Sequence, residues 1–180
     1  MQLIHQYGFL GIFPPIEPLL AYQFLPDLHL ARVSLLELLR GPDRSIEVTV
    51  PAVVLDEVLR GAGHDPDAGL VEAAASDWLT VVPTPAPHPD INPLRIDDGE
   101  IAVLSIARVT PGSTVVLDDR AARSEADRLG IPKTGTLRLL LEAKELGIIP
   151  SVRTPLEILR ARGMRLSDEL WREILSLAGE

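Results

Sequence analysis

The chain has 180 residues, of which 46% are hydrophobic, and this composition is typical of a globular protein with one substantial core. Cysteine is absent, which excludes disulfides, thiolate catalysis and zinc ribbons and is compatible with a reducing cytoplasm. The net charge of −9 argues against a broad electrostatic grip on nucleic acid, although a carboxylate site that binds a cation is itself acidic. No apolar run reaches the roughly 18 residues that a membrane span needs, so we expect no membrane partner.

Predicted strands and helices alternate through the first half of the chain. We expect strands at residues 19–25, 46–50 and 78–82. We expect helices at residues 27–39, 51–61 and 65–76. The proline-dense stretch 83–93, PTPAPHPDINP, is predicted to be an extended surface loop.

The same alternation continues in the second half. We expect helices at residues 97–109, 119–130 and 135–146, with strands at 114–117 and near Ile131. Two short helices should follow residue 151, the first opened by a capping box at Thr154-Pro155-Leu156-Glu157. The pattern predicts an α/β fold with a mainly parallel sheet between helices. We divide the chain into a divergent segment (1–25), a main domain (26–150) and a helical appendage packed on it (151–180).

Two carboxylates follow a buried strand at its carboxyl end. Asp118 and Asp119 come directly after the apolar run TVVL, and ligands of open α/β sheets collect at this rim. Glu57, in the helix after the second strand, and Glu100, in the first turn of an apolar helix, are the other acids we expect there. Such acids repel one another unless a cation binds or their pKa values shift, and Mg²⁺ or Mn²⁺ prefers oxygen ligands.

Each of these acids also has a purely structural explanation. Asp97 and Glu100 have the spacing of a capping box, and either Asp118 or Asp119 is a natural N-cap. A lone glutamate such as Glu57 on an amphipathic helix is most often solvated. A receiver domain also ends a strand with an aspartate, but it needs an acid pair after its first strand, which this chain lacks.

Four spans and the helical tail together resemble the PIN-domain family, and the nearest branch is a PIN-like group of unknown function related to VapC-type toxins. The spans are LARVSLLELL (30–39), VPAVVLDEVLRG (50–61), DDGEIAVLSIA (97–107) and VVLDDRAARSEADRLGIPKTGTLRLLLEAKELGIIPSV (115–152). The resemblance covers about residues 26–180. It implies a three-layer α/β/α sandwich that hydrolyses RNA with Mg²⁺ or Mn²⁺.

Carried over by position, the resemblance makes Glu57, Glu100 and Asp118 the catalytic acids and the metal ligands, with Asp119 as a further ligand. Arg120 and Lys133 would contact phosphates. Expected partners are RNA, a small antitoxin protein and a second copy of the chain.

The sequence departs from the family at two positions. Gln23 stands where the first catalytic aspartate is expected, with Asp27 four residues later, and Ala102 replaces a further glutamate. The sequence therefore leaves two alternatives open: a metal-dependent endoribonuclease, or a degenerate module that binds a protein or RNA without cleaving it. A shifted reading frame or misplaced start over the first 25 residues would also explain Gln23.

Overall fold

The computed structural model describes residues 19–21, 47–61, 68–161 and 163–180. Within these ranges the chain folds as an α/β/α sandwich around one parallel sheet. The strands are β1 (Leu19–Ala21), β2 (Val48–Pro51), β3 (Thr80–Val82), β4 (Thr114–Val116) and β5 (Lys133–Thr134). The helices are α1 (Ala52–Gly61), α2 (Ala68–Asp77), α3 (Asp98–Val109), α4 (Arg120–Leu129), α5 (Thr136–Glu145), α6 (Arg153–Ala161) and α7 (Asp168–Leu177).

The order in which the strands are added to the sheet reverses between β1 and β4. The strand order is β3-β2-β1-β4-β5, and every neighbouring pair is parallel. The register sets Ala21, the last residue of β1, beside Val116, the last residue of β4. In sheets of this kind the chain leaves the strands toward opposite sides at such a point, and a crevice opens there. The sequence following Val116 therefore enters the part of the molecule best suited to a ligand.

The core explains why β4 and α3 are central. Val115, Val116 and Leu117 are fully buried because β4 has neighbours on both edges and helices on both faces. Helix α3 packs against β1, β2 and β4, and its residues 101–104 are all buried. Ala102 is 2% exposed, so a glutamate at this position would bring a charge into the core.

The predicted helical tail shares the core of the main domain. Leu156 and Leu159 of α6 and Ile174 and Leu175 of α7 belong to the same buried cluster as β4. Helix α7 also contacts α5. The division of the chain at residues 25 and 150 stays a prediction.

Two local predictions differ from the structure. Pro51 is the last residue of β2, whereas we expected it in the first turn of the next helix; a proline at the end of a strand removes no helical hydrogen bond. Thr154 was expected to cap α6 but lies inside it, because α6 begins at Arg153. The helical prediction over 27–39 and residues Gln23 and Asp27 lie outside the described residues. None of the described helices has the length and apolar character to span a membrane.

Candidate metal centre

Glu100 is placed by the cap of α3. The Asp97 side chain accepts from the Glu100 N–H (2.9 Å), and Glu100 Oε2 accepts from the Asp97 N–H (3.1 Å), which is the predicted capping box. This arrangement fixes the glutamate at the start of a buried helix, where it is 2% exposed. The cap satisfies only one of its two carboxylate oxygens.

The second oxygen of Glu100 has no partner. Oε1 is buried and receives no hydrogen bond from any described residue. Burial is the largest cause that raises the pKa of Glu100, followed by the negative charge of Asp97 and then those of Asp119 and Glu57, and together they bring it to about 8. The Asp97 backbone hydrogen bond opposes these effects without cancelling them. Glu100 is thus a buried carboxyl group with no positively charged partner among the described residues.

Glu57 belongs to the same acidic neighbourhood. It lies on α1, and its pKa is raised, first by burial and then by the negative charge of Asp97. The charge of Arg60 lowers this pKa, and the charge of Asp98 adds a smaller increase. The shared charges show that α1 and the start of α3 direct carboxylates toward one region. In the sequence, Asp97 and Asp98 open the same helix as Glu100 and could also bring acid to the rim, but neither was predicted to be a metal ligand. Their proximity to Glu57 was not foreseeable, because it depends on how α1 packs against α3.

The two aspartates after β4 differ in their surroundings. Asp119 is the N-cap of α4 and accepts from the backbone N–H groups of Ala121 (2.6 Å) and Ala122 (3.0 Å). Its charge is also one of those that raise the pKa of Glu100. Asp119 therefore connects the end of β4 electrostatically to the start of α3.

Asp118 accepts hydrogen bonds from the start of α5. Its Oδ1 accepts from the Thr136 N–H (2.9 Å) at the start of α5, and its Oδ2 accepts from the Thr136 hydroxyl. A Cβ at Gly135 would lie 3.0 Å from Asp118 Oδ1 and 3.1 Å from Arg123 Nη1, so the bare glycine leaves room for both. The Asp119 charge therefore acts on Glu100, and Asp118 joins the end of β4 to the start of α5.

The two predicted phosphate-binding residues differ in their surroundings. Arg120 is exposed at the first turn of α4, beside Asp119. Lys133 forms an ion pair with Asp127, and its side chain is 15% exposed. A phosphate at Lys133 would have to compete with this aspartate. Both roles stay predictions.

The chemistry of the acids fits a hard divalent cation, which prefers carboxylate oxygens. The orphaned Glu100 Oε1 is an available ligand atom, and the repulsion among Glu57, Glu100 and Asp119 would be relieved by positive charge. As they lie, no three acidic, histidine or cysteine side chains among the described residues are grouped closely enough to hold an ion. Binding would require these side chains to draw together.

Comparison with known proteins identifies the family. The model of DUF3368, described as a PIN domain, matches residues 26–180. This chain belongs to the PIN-domain family. PIN domains are generally nucleases that use divalent metals, which agrees with the acidic chemistry at the rim. The predicted family and the predicted α/β fold are confirmed.

A search of curated proteins gave no match to this PIN domain. Among solved structures, a PilT N-terminus domain protein from the hyperthermophilic archaeon Sulfolobus solfataricus P2 is similar to it. The two are 14% identical, with a TM-score of 0.47, and the match covers 71% of this chain and 93% of the other.

Proposed function

We propose that this PIN domain is an endoribonuclease that hydrolyses RNA phosphodiesters with Mg²⁺ or Mn²⁺ bound among Glu57, Glu100 and Asp119. The observation that carries the proposal is the unpartnered, buried Oε1 of Glu100, together with the pKa of about 8 that its acidic neighbours and burial impose. An uncompensated buried carboxyl group destabilises a fold, so its presence next to further acids suggests a ligand that offsets the cost.

The residues would divide the work by position. Glu100, held by the cap of α3, and Asp119, held by the first turn of α4, offer oxygens from two rigid helix starts. Glu57 adds a carboxylate from α1. A bound divalent cation would supply a more acidic water and stabilise charge on the phosphate. The water oxygen replaces the leaving oxygen on phosphorus, and the proton it loses is balanced by protonation of that leaving group.

Asp118 keeps its place in the proposal through α5. Its two hydrogen bonds to Thr136 fix the turn after β4, so the side chain positions Asp119. The sequence resemblance assigned Asp118 a direct metal contact. Comparing Asp118→Asn with Asp119→Asn tests which of the two aspartates holds the cation.

The decisive experiment measures cleavage of a single-stranded RNA with Mn²⁺, with EDTA, and in Glu100→Gln. We expect cleavage by the wild type with Mn²⁺, none with EDTA, and a loss of at least about 100-fold in Glu100→Gln. A matched control is Glu169→Gln, which removes an exposed acid from the first turn of α7. Cleavage that continues unchanged in Glu100→Gln would reject the proposal.

The second candidate is a non-catalytic PIN module, favoured by the buried Ala102 and by Gln23 in the sequence. RNA bound tightly by the wild type, without cleavage in any divalent metal and without calorimetric Mn²⁺ binding, would support it.

We further propose a biological setting for the nuclease: the toxin of a toxin–antitoxin pair, inhibited by a small protein. The support is the resemblance to the toxin-related branch. Expression of the chain alone should arrest growth, and co-expression of its small operon neighbour should restore it. Arrest that persists in Glu100→Gln would contradict a toxic nuclease activity.

A further inference from the structure

A cleft of about 550 Å³ opens beside the acids, between the loop that precedes α3 and the first turn of α4. Asp119 lies in its wall and is also one of the acids that act on Glu100. A molecule in the cleft would therefore adjoin the proposed metal centre. The volume falls within the range of about 300–1,000 Å³ that is typical of small-ligand sites.

The cleft offers positive charge although the protein is acidic. Arg95 and Arg120 line it, both are exposed, and neither forms an ion pair with any described residue. Glu125, the other acid in the lining, is already neutralised: Arg128 donates to it at 2.6 Å, and this hydrogen bond is the main cause of its lowered pKa. Two guanidinium groups thus remain available to an anion.

The loop that carries Arg95 is fastened to α4. The Asn92 N–H donates to Glu125 Oε1 (2.7 Å), and Arg128 donates to the Asp90 carbonyl. The Leu94 N–H donates to Asn92 Oδ1 (3.1 Å), which closes a local turn. These bonds hold one wall of the cleft in a fixed position relative to the other.

Arg95 has an unusual backbone conformation. Its φ is +86°, and it is the only residue other than glycine with a positive φ in the described part of the chain. A side chain in this region costs about 1–2 kcal/mol, and glycine would avoid the cost. The strained arginine, which lines the cleft, therefore points to a role for its side chain and not for the fold.

An apolar surface completes the site. Leu94 is 74% exposed, and the partly buried Ile96 lies beside it in the lining. Exposed apolar groups next to guanidinium groups suit a ligand with a flat, weakly polar part and an anionic part. A nucleotide has both, as a base and a phosphate.

We propose that this cleft binds one nucleotide of a single-stranded nucleic acid next to the phosphodiester presented to the acids, with Arg95 and Arg120 on phosphate oxygens and Leu94 against the base. The inference deepens the proposed nuclease function and rests on it for the identity of the strand. A base enters a cleft only when it is unstacked, so a duplex should bind less well.

The test is binding of a labelled RNA oligonucleotide by fluorescence anisotropy in EDTA, which separates binding from cleavage. The key variants are Arg95→Gly, which removes the side chain and relieves the backbone, and Arg120→Gln. The control is Arg153→Gln, an exposed arginine on α6 outside the cleft. We expect each key variant to weaken binding about 10-fold and to lower the salt slope by about 0.7, with the control unchanged.

Thermal unfolding distinguishes a loss of RNA binding from a loss of folded protein. Arg95→Gly should melt at or above the wild-type temperature while it binds RNA more weakly. The same measurement is repeated with single-stranded DNA and with duplex RNA. Loss of single-strand binding in the key variants supports the cleft, and the single strand that binds more tightly shows whether the cleft prefers RNA or DNA. Equal binding by wild type, Arg95→Gly and Arg120→Gln, or a duplex bound as tightly as either single strand, would overturn the inference.

The two proposals fail in different ways. If Glu100→Gln abolishes cleavage but the arginine variants bind normally, the nuclease function stands and the cleft assignment is wrong. If the arginine variants lose binding but no metal supports cleavage, the cleft stands and the nuclease function is wrong.

Discussion

Two glutamates, Glu100 and Glu180, have pKa values that the fold shifts in opposite directions. Glu100, at the start of α3, has one unpartnered buried oxygen and a pKa raised to about 8 by burial and acidic neighbours. Glu180, after α7, accepts hydrogen bonds from Lys144 (2.6 Å), Ser151 (2.7 Å) and the Val152 N–H (2.9 Å). Burial pulls its pKa upward, but these bonds outweigh burial and lower the pKa to about 2.

The contrast distinguishes a carboxylate that stabilises the fold, Glu180, from one whose charge is available to a ligand, Glu100. Glu180 joins α5, the start of α6 and the end of α7, so its charge is compensated within the protein. Glu100 is fixed just as firmly by its capping box, yet its charge is compensated by no described residue. A rigid but uncompensated acid is the arrangement expected of a cation ligand.

The largest expected effect comes from removing the charge of Glu100. Glu100→Gln keeps an acceptor for the Asp97 N–H but removes the negative oxygen, so Mn²⁺ affinity measured by calorimetry should fall at least about 100-fold. Glu180→Gln should leave Mn²⁺ affinity unchanged because Glu180 is not among the acids that act on Glu100 or Glu57. Equal losses in both variants would remove the contrast.

A smaller effect should separate the neighbouring aspartates. Asparagine is a good N-cap, so Asp119→Asn should fold normally while it loses about 10-fold in Mn²⁺ affinity. Asp118→Asn keeps an acceptor for Thr136 and should instead lower the free energy of unfolding by about 1 kcal/mol, with a smaller change in Mn²⁺ affinity. The reverse ranking, by calorimetry and urea unfolding, would restore Asp118 as the direct ligand.

We call Glu180 and its three hydrogen-bond donors, in Lys144, Ser151 and Val152, the Glu180 clasp, and we expect it to stabilise the fold. Glu180→Gln weakens three charge-assisted hydrogen bonds and should lower the free energy of unfolding by about 1–3 kcal/mol in urea. Glu169→Gln on the exposed start of α7 is the matched control and should change it by less than about 0.5 kcal/mol. Similar values for the two variants would show that the clasp is not stabilising.

The same two glutamates predict opposite responses to pH. Folding raises the pKa of Glu100 from 4.5 to about 8, so the native state binds more protons between these values and the ion-free protein loses stability as pH rises through them. Folding lowers the pKa of Glu180, so its contribution is present above pH 4.5 and is lost as pH falls toward 2. Urea unfolding in EDTA should show Glu100→Gln gaining about 1–2 kcal/mol on the wild type between about pH 5 and about pH 8. A difference that does not change with pH would contradict the raised pKa.

The sequence predicted what local patterns determine. The buried run ending at Leu117, an N-cap at either Asp118 or Asp119 and the capping box of Asp97 with Glu100 depend on residues a few positions apart. All three are present, with the N-cap at Asp119. The alternation of strands and helices predicted the parallel sheet for the same reason.

Contacts between distant segments were beyond the sequence. Asp118 bonds Thr136, 18 residues away, and Glu180 accepts from the Val152 N–H just before α6, 28 residues away. The positive φ of Arg95 has no signature in the letters NPLR, since asparagine or glycine is the usual residue in that conformation. The cleft it lines was therefore not predictable.

Asp119 belongs both to the proposed metal centre and to the lining of the cleft, and this has a thermodynamic consequence. If an ion on one side of this residue changes the affinity for a strand on the other side by some factor, the strand must change the affinity for the ion by the same factor. Titrating Mn²⁺ with and without an uncleavable oligonucleotide would measure that reciprocity, and Asp119→Asn should reduce the coupling toward zero.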